Sequence, residues 1–189
     1  MITVFLDRDG TLGGEGGVVH PFTFTLYSCS APAIKLFNQS GMKTFLFTNQ
    51  SGIGSGKFSE ETFLAGCEMM HEELKKNEAF LDGVYYCPHK PEDHCDCRKP
   101  QTKLLEEAAK EYQLDLSQCY VVGDRLTDML VAERAGLKKV LVRTGWGEKS
   151  LYGYHEEKLK RIKINFIADD VLKAAEWIVR DSKTKTYIT

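Results

Sequence analysis

The chain has 189 residues, enough for one domain with an adequate core, and carries a formal charge of −2 with a pI of about 6.2. That balance supplies no basic field of the kind nucleic-acid binding requires, and the apolar runs fall far short of the roughly 18 residues of a membrane span. No basic segment precedes the first apolar run, and Asp7 interrupts it, so a signal peptide is not expected and a cytoplasmic protein is.

Ile2-Thr3-Val4-Phe5-Leu6 reads as a buried strand that delivers Asp7 and Asp9 at its C-terminal end. Gly13-Gly14-Glu15-Gly16-Gly17 follows as a flexible flap. A short helix is predicted over Pro32–Gln39, then a second strand over Lys43–Phe47 that delivers Thr48, Asn49 and Gln50. Ser59 is a good N-cap with Glu60 and Glu61 behind it, opening a helix through about Lys76. Val84–Tyr86 is a third strand. The helix over Gln101–Tyr112 places Leu104, Leu105, Ala108 and Ala109 on one face. Tyr120–Val122 is a fourth strand, delivering Asp124 and Asp128, and the helix Leu126–Ala135 is stopped by Gly136. Val140–Val142 is a fifth strand, and the apolar piece Asn165–Ala168 precedes a helix over Asp170–Val179. The polar stretch 181–189 is expected to fray, leaving 1–180 as a single domain.

This alternation predicts an α/β fold, a doubly wound and mostly parallel sheet with helices on both faces. Ligands bind such sheets outside the carboxyl ends of the strands, so the three polar clusters are expected to meet there. Neither the stretch between Thr11 and Lys43 nor that between Thr48 and Lys99 leaves room for a large cap, so loops must shape the pocket.

Of six cysteines, Cys29, Cys67 and Cys119 are scattered and read as reduced, packed thiols. Cys87-Pro88-His89 and Cys95-Asp96-Cys97 are separated by five residues. Three thiolates and an imidazole meet the tetrahedral demand of zinc in a closed, structural site, and metal is favoured over disulfides in a cytosolic protein. A loop of surface thiols with an incidental histidine is the plain alternative, and His94 is a spare imidazole. The loop 87–97 runs into Arg98-Lys99-Pro100, so zinc would order the segment that carries Lys99.

Asp7-Arg8-Asp9-Gly10-Thr11, Thr48, Lys99 before a helix, and Gly123-Asp124 followed by Asp128 resemble the four motifs of the haloacid dehalogenase superfamily of phosphatases, over about two thirds of the chain. The resemblance implies a Rossmann-like fold, capless here on the motif spacing given above. It implies Asp7 as nucleophile, Asp9 as general acid/base, Thr48 as the phosphate-binding hydroxyl and Lys99 as the charge-stabilising lysine. Magnesium would be held by Asp7, the backbone carbonyl of Asp9, and Asp124, with Asp128 orienting the lysine. The expected reaction is hydrolysis of a small phosphate ester through an aspartyl-phosphate, with Asn49 and Gln50 on the substrate. Arg98 offers a planar fork for a second phosphate or a carboxylate; closing the loop against Asp96 or Glu92 is its other reading. A monomer is expected.

The run Cys-Pro-His…Cys-x-Cys-Arg-Lys-Pro is similar to two groups, the D-glycero-D-manno-heptose 1,7-bisphosphate phosphatases and the histidinol-phosphate phosphatase domain. Thr48 to Ile53, Gly56-Lys57-Phe58 and Tyr85 to His89 side with the heptose enzymes. The short zinc loop and Gly123-Asp124-Arg125-Leu126-Thr127-Asp128 side with the histidinol enzymes, and Leu26 to Ser30 departs from both. The heptose bisphosphate is the favoured substrate and histidinol phosphate the alternative. Residues 47–57 also resemble polynucleotide 3′-phosphatases, which lack the zinc loop. A phosphomutase would need a cap, and a silent binding module would be expected to have lost Asp7 or Asp9. A P-loop does not fit, because it would need glycine at Ser51 and a hydroxyl at Phe58. Whether Lys57 or Trp146 reaches the substrate stays open.

Overall fold

The computed structural model describes residues 1–153 and 155–184. Its sheet has six strands: β1 (Thr3–Leu6), β2 (Lys43–Asn49), β3 (Gly83–Cys87), β4 (Tyr120–Gly123), β5 (Lys138–Val142) and β6 (Phe166–Ala168). They lie in the order β3-β2-β1-β4-β5-β6, and every neighbouring pair is parallel. The order reverses between β1 and β4, which opens a crevice beyond their carboxyl ends.

The helices are α1 (Ser30–Gln39), α2 (Ser51–Gly54), α3 (Glu60–Lys76), α4 (Lys103–Tyr112), α5 (Leu126–Ala135), α6 (Gly147–Tyr152), α7 (Glu156–Leu159) and α8 (Val171–Thr184). All four β1 residues are fully buried, as expected of a central strand covered on both faces. Strand alternation sends Val4 and Leu6 to the layer containing Phe37 of α1 and Ile178 of α8. It sends Phe5 to the opposite layer, with Phe45, Phe47 and Leu105 of α4. There the Phe5 ring stacks on Phe45 at 5.6 Å and meets the edge of Phe47 at 5.9 Å. Each such buried ring contributes about 1.5–3 kcal/mol, so the strand ends that carry the polar clusters are rigidly seated.

Local signals act where expected. Ser59 Oγ accepts from the Thr62 N–H at 3.1 Å to start α3, and Gly136 closes α5 at φ +76°. Three features go beyond the sequence reading. β2 extends to Asn49, pairing it with Cys87 at the end of β3, so Thr48 and Asn49 sit in the strand itself. The short helices α2, α6 and α7 carry too little apolar periodicity to be read. Finally, α8 continues to Thr184, with Asp181 accepting from the Tyr120 hydroxyl at 2.6 Å and from Lys138; residues 185–189 of the expected tail lie outside the described residues. Among the described residues no helix is long and apolar enough to cross a membrane.

Candidate active site

The β1 and β4 ends bring three acids together. Asp7 continues the β1–β4 ladder through its N–H to the Val122 carbonyl at 3.0 Å, and carboxylate oxygens of Asp7, Asp124 and Asp128 all lie within 4.8 Å of one another. One cation enters from the other side of the crevice. Lys99 Nζ donates to Asp7 Oδ1 at 2.8 Å, to Asp128 Oδ1 at 2.6 Å and to the Phe47 carbonyl at 2.9 Å. Burial alone would discharge this ammonium, but Asp128 and Asp7 outweigh it and hold its pKa above the ordinary lysine value.

Three carboxylates against one ammonium leave a surplus of negative charge. Asp128 spends its oxygens on Lys99 and on the Arg125 N–H at 3.0 Å. Asp124 is different: Oδ2 accepts from the Trp146 N–H at 2.7 Å, while Oδ1 is buried without a hydrogen-bond partner. Burial first, then Asp7 and Asp128, push the Asp124 carboxyl up to about 8. An orphaned buried oxygen beside a second carboxylate suits a hard divalent cation. The turn after β5 wraps this corner, with Thr144 Oγ1 donating to the Gly10 carbonyl at 2.7 Å and Ser150 Oγ to the Asp124 carbonyl at 3.0 Å. Gly10 is forced to be glycine here. Its φ is +93°, and a Cβ would sit 2.1 Å from Asp124 Oδ2.

Thr48 is buried at the end of β2 and lines the cavity. Asn49 and Gln50, expected on the substrate, also line the cavity, and their amides are hydrogen-bonded within the site. Asn49 clamps the Lys99 backbone, accepting from its N–H at 3.0 Å and donating to its carbonyl at 3.2 Å. Gln50 Nε2 donates to Asp9 Oδ2 at 2.8 Å and to Thr48 Oγ1 at 3.0 Å. The extended β2 brings Asn49, and Gln50 just beyond it, against the loops that carry Lys99 and Asp9. Burial pushes the Asp9 carboxyl above its ordinary range, against the opposing pull of Arg8. Arg8 itself escaped the sequence reading, since a residue between two acids reads as a spacer.

Cys87, His89, Cys95 and Cys97 converge at the start of the loop that carries Lys99. Cys97 Sγ lies 3.1 Å from Cys87 Sγ and 3.5 Å from Cys95 Sγ, and His89 Nδ1 lies 3.3 Å from Cys97 Sγ. Zinc at about 2.3 Å from sulfur requires ligand-to-ligand edges of about 3.7 Å, so a small expansion of this cluster accommodates it. His94 is exposed and outside the cluster. Arg98 Nη1 donates to the His89 carbonyl at 3.1 Å, while Asp96 pairs with Lys103 at 2.9 Å instead.

Above the acids is a cavity of about 370 Å³. Its walls are the flap at Gly16, Gly17 and Val18, the cysteine loop at Pro91 and Arg98, and the pair Arg125 and Trp146. Arg125 lies over the Trp146 ring at 4.7 Å and donates to the Gly16 carbonyl, which fastens the flap to this wall. Lys57 is exposed and not among the lining residues.

Residues 96–174 match the HAD-hydrolase-like family model. Over 151 residues the chain is 46% identical to the D-glycero-beta-D-manno-heptose-1,7-bisphosphate 7-phosphatase of Haemophilus ducreyi, covering 75% of this chain and 83% of that relative. This chain belongs to the heptose-bisphosphate phosphatase family of HAD-like hydrolases. Another member, from Photorhabdus laumondii, is 39% identical over 175 residues, covering 88% of this chain and 91% of its own. Among solved structures, the D,D-heptose 1,7-bisphosphate phosphatase from B. bronchiseptica, complexed with magnesium and phosphate, superposes with a TM-score of 0.84 at 31% identity. That match covers 96% of this chain and 99% of that chain. The motif evidence that was divided between two groups therefore falls on the heptose-bisphosphate phosphatase side.

Proposed function

We propose that this enzyme is a magnesium-dependent phosphatase that hydrolyses D-glycero-D-manno-heptose 1,7-bisphosphate through an aspartyl-phosphate on Asp7. One observation carries the reading. A strand-end carboxylate, Asp7, lies under an open cavity between the Lys99 ammonium and the orphaned oxygen of Asp124.

Lys99 holds one oxygen of Asp7, leaving the other to attack phosphorus. As that O–P bond forms, the bond to the sugar oxygen breaks and Asp9 protonates the leaving alkoxide. Asp9 then takes a proton from the water that cleaves the aspartyl-phosphate. Thr48 and Lys99 hold the nonbridging oxygens, and Asn49 keeps Lys99 in place. Asp7, Asp124 and the Asp9 carbonyl would hold magnesium, which when bound offsets charge on the phosphoryl oxygens. Cys87, His89, Cys95 and Cys97 would hold a structural zinc.

The bisphosphate assignment is tested at Arg98. Arg98 lines the cavity, and its guanidinium donates through Nη1 to the His89 carbonyl. Arg98→Ala should lower kcat/KM for the heptose bisphosphate by roughly thirty- to hundredfold, about 2–3 kcal/mol, and far less for a monophosphate analogue. The assay panel contains both anomers of the bisphosphate, histidinol phosphate and other small esters. Preference of the wild type for histidinol phosphate would overturn the substrate; an equal Arg98→Ala loss on every ester would overturn the role of Arg98.

Magnesium binding has a pH signature. The Asp124 carboxyl ionises at about 8 in the folded chain against 3.8 ordinarily, so between those values the folded state binds more protons than the unfolded state. This group therefore lowers metal-free stability as pH rises through that window. Magnesium displaces the proton, so its gain in Tm should be larger at pH 8 than at pH 5. Thermal melts with equal magnesium shifts at both values would contradict the assignment of Asp124.

A further inference from the structure

Arg8 is a charged side chain only 3% exposed, set between the two acids of the first motif. Its fork meets both oxygens of Asp9: Nε donates to Oδ2 at 3.0 Å and Nη2 to Oδ1 at 2.9 Å. Nη2 also donates to the Val19 carbonyl at 3.1 Å, just beyond the glycine flap. The guanidinium is held over the rings of Phe24 at 4.8 Å and Phe63 at 5.5 Å. Gln50 fixes Asp9 Oδ2 from a further direction. A two-point contact removes the rotational freedom of a carboxylate, which a single ammonium would not do. Asp9 nonetheless lines the cavity, with 12% of its side chain exposed. The guanidinium therefore braces the carboxyl from behind and leaves an edge facing the substrate.

We infer that Arg8 is a positioning residue: it aims the Asp9 carboxyl at the oxygen of the leaving sugar and ties that carboxyl to the flap through Val19. The inference rests on the proposed reaction, in which Asp9 gives its proton to the leaving oxygen as the O–P bond breaks. Small misplacements of a catalytic group cost about a hundredfold, and loss of general acid catalysis costs about the same or more. The cost falls only on leaving groups that need a proton.

The test compares kcat/KM, which reports the step that expels the leaving group, on the heptose bisphosphate and on p-nitrophenyl phosphate, whose phenolate departs unprotonated. Arg8→Gln should lose about a hundredfold on the sugar phosphate and about threefold on the aryl phosphate. Arg8→Lys, which keeps the charge without the fork, should fall between wild type and Arg8→Gln in the ratio of the two losses. Equal losses on both substrates, or no loss on either, would overturn the inference. If Arg8→Gln does not fold, Arg8→Lys is judged by the same ratio. Asp9→Asn should show the same selective loss. If it does not, the general-acid role of Asp9 fails, whereas selective loss in Asp9→Asn with equal losses at Arg8 fails Arg8 alone.

Discussion

Asp7→Asn should lower kcat by at least about a thousandfold while the protein keeps its fold and the zinc proposed for the cysteine cluster. An amide oxygen is a poor nucleophile at phosphorus. Asp128 is committed to Lys99 and the Arg125 backbone, and Asp124 Oδ2 to the Trp146 N–H. The variant should not be destabilised for want of a partner, since Lys99 retains Asp128 and the Phe47 carbonyl. It also removes one of three mutually repelling carboxylates. Steady-state rates beside metal content and thermal melts check this. Retention of more than about a thousandth of wild-type kcat would argue against nucleophilic catalysis at Asp7.

Loss of zinc should rank second. The purified chain is expected to carry about one zinc, bound by four protein ligands with no position left for an activated water. Cys87 and Cys97 are buried and pack in the same layer as Phe47 and Leu104, so the cluster ties the loop to the sheet. Two residues past Cys97 is Lys99, whose ammonium must stay within hydrogen-bond reach of Asp7. Cys97→Ser, or chelation long enough to strip zinc, should reduce activity roughly tenfold to hundredfold and lower the melting temperature. Brief EDTA treatment followed by Mg²⁺ should restore full rate, because only the weakly held magnesium is removed. Full turnover with added zinc and no magnesium would contradict this division between the metals.

The strand-end acids were legible because buried parallel strands leave an unmistakable apolar run, and the polar residue after each run must lie at the carboxyl edge. Asp7, Thr48 and Asp124 follow from that rule alone. The cysteine loop was legible by ligand chemistry and spacing, and Lys99 through the motif resemblance. The hydrogen bonds of Asn49 to the Lys99 backbone and of Gln50 to Asp9 were not, because the length of β2 decides where their amides point. Its last pairing, Asn49 with Cys87, is a tertiary contact that no local pattern encodes. Arg8 was hidden for a similar reason, since its partners Val19, Phe24 and Phe63 come from the flap region and α3. The Arg125–Trp146 wall depends on the turn after β5 folding back over Asp124, again a contact between distant segments.

Covalent turnover at Asp7 is tested most directly by trapping. On the proposed mechanism Asp9→Asn lacks the base for the second step, whereas p-nitrophenyl phosphate needs no acid for the first, so the phosphorylated enzyme should accumulate. The measurement is an acid quench of this variant with ³²P-labelled p-nitrophenyl phosphate and magnesium, followed by peptide mapping. The account predicts acid-stable label on the peptide containing Asp7, absent from the double variant Asp7→Asn, Asp9→Asn. Label on any other residue, or p-nitrophenol release with no enzyme-bound label at any time point, would contradict it.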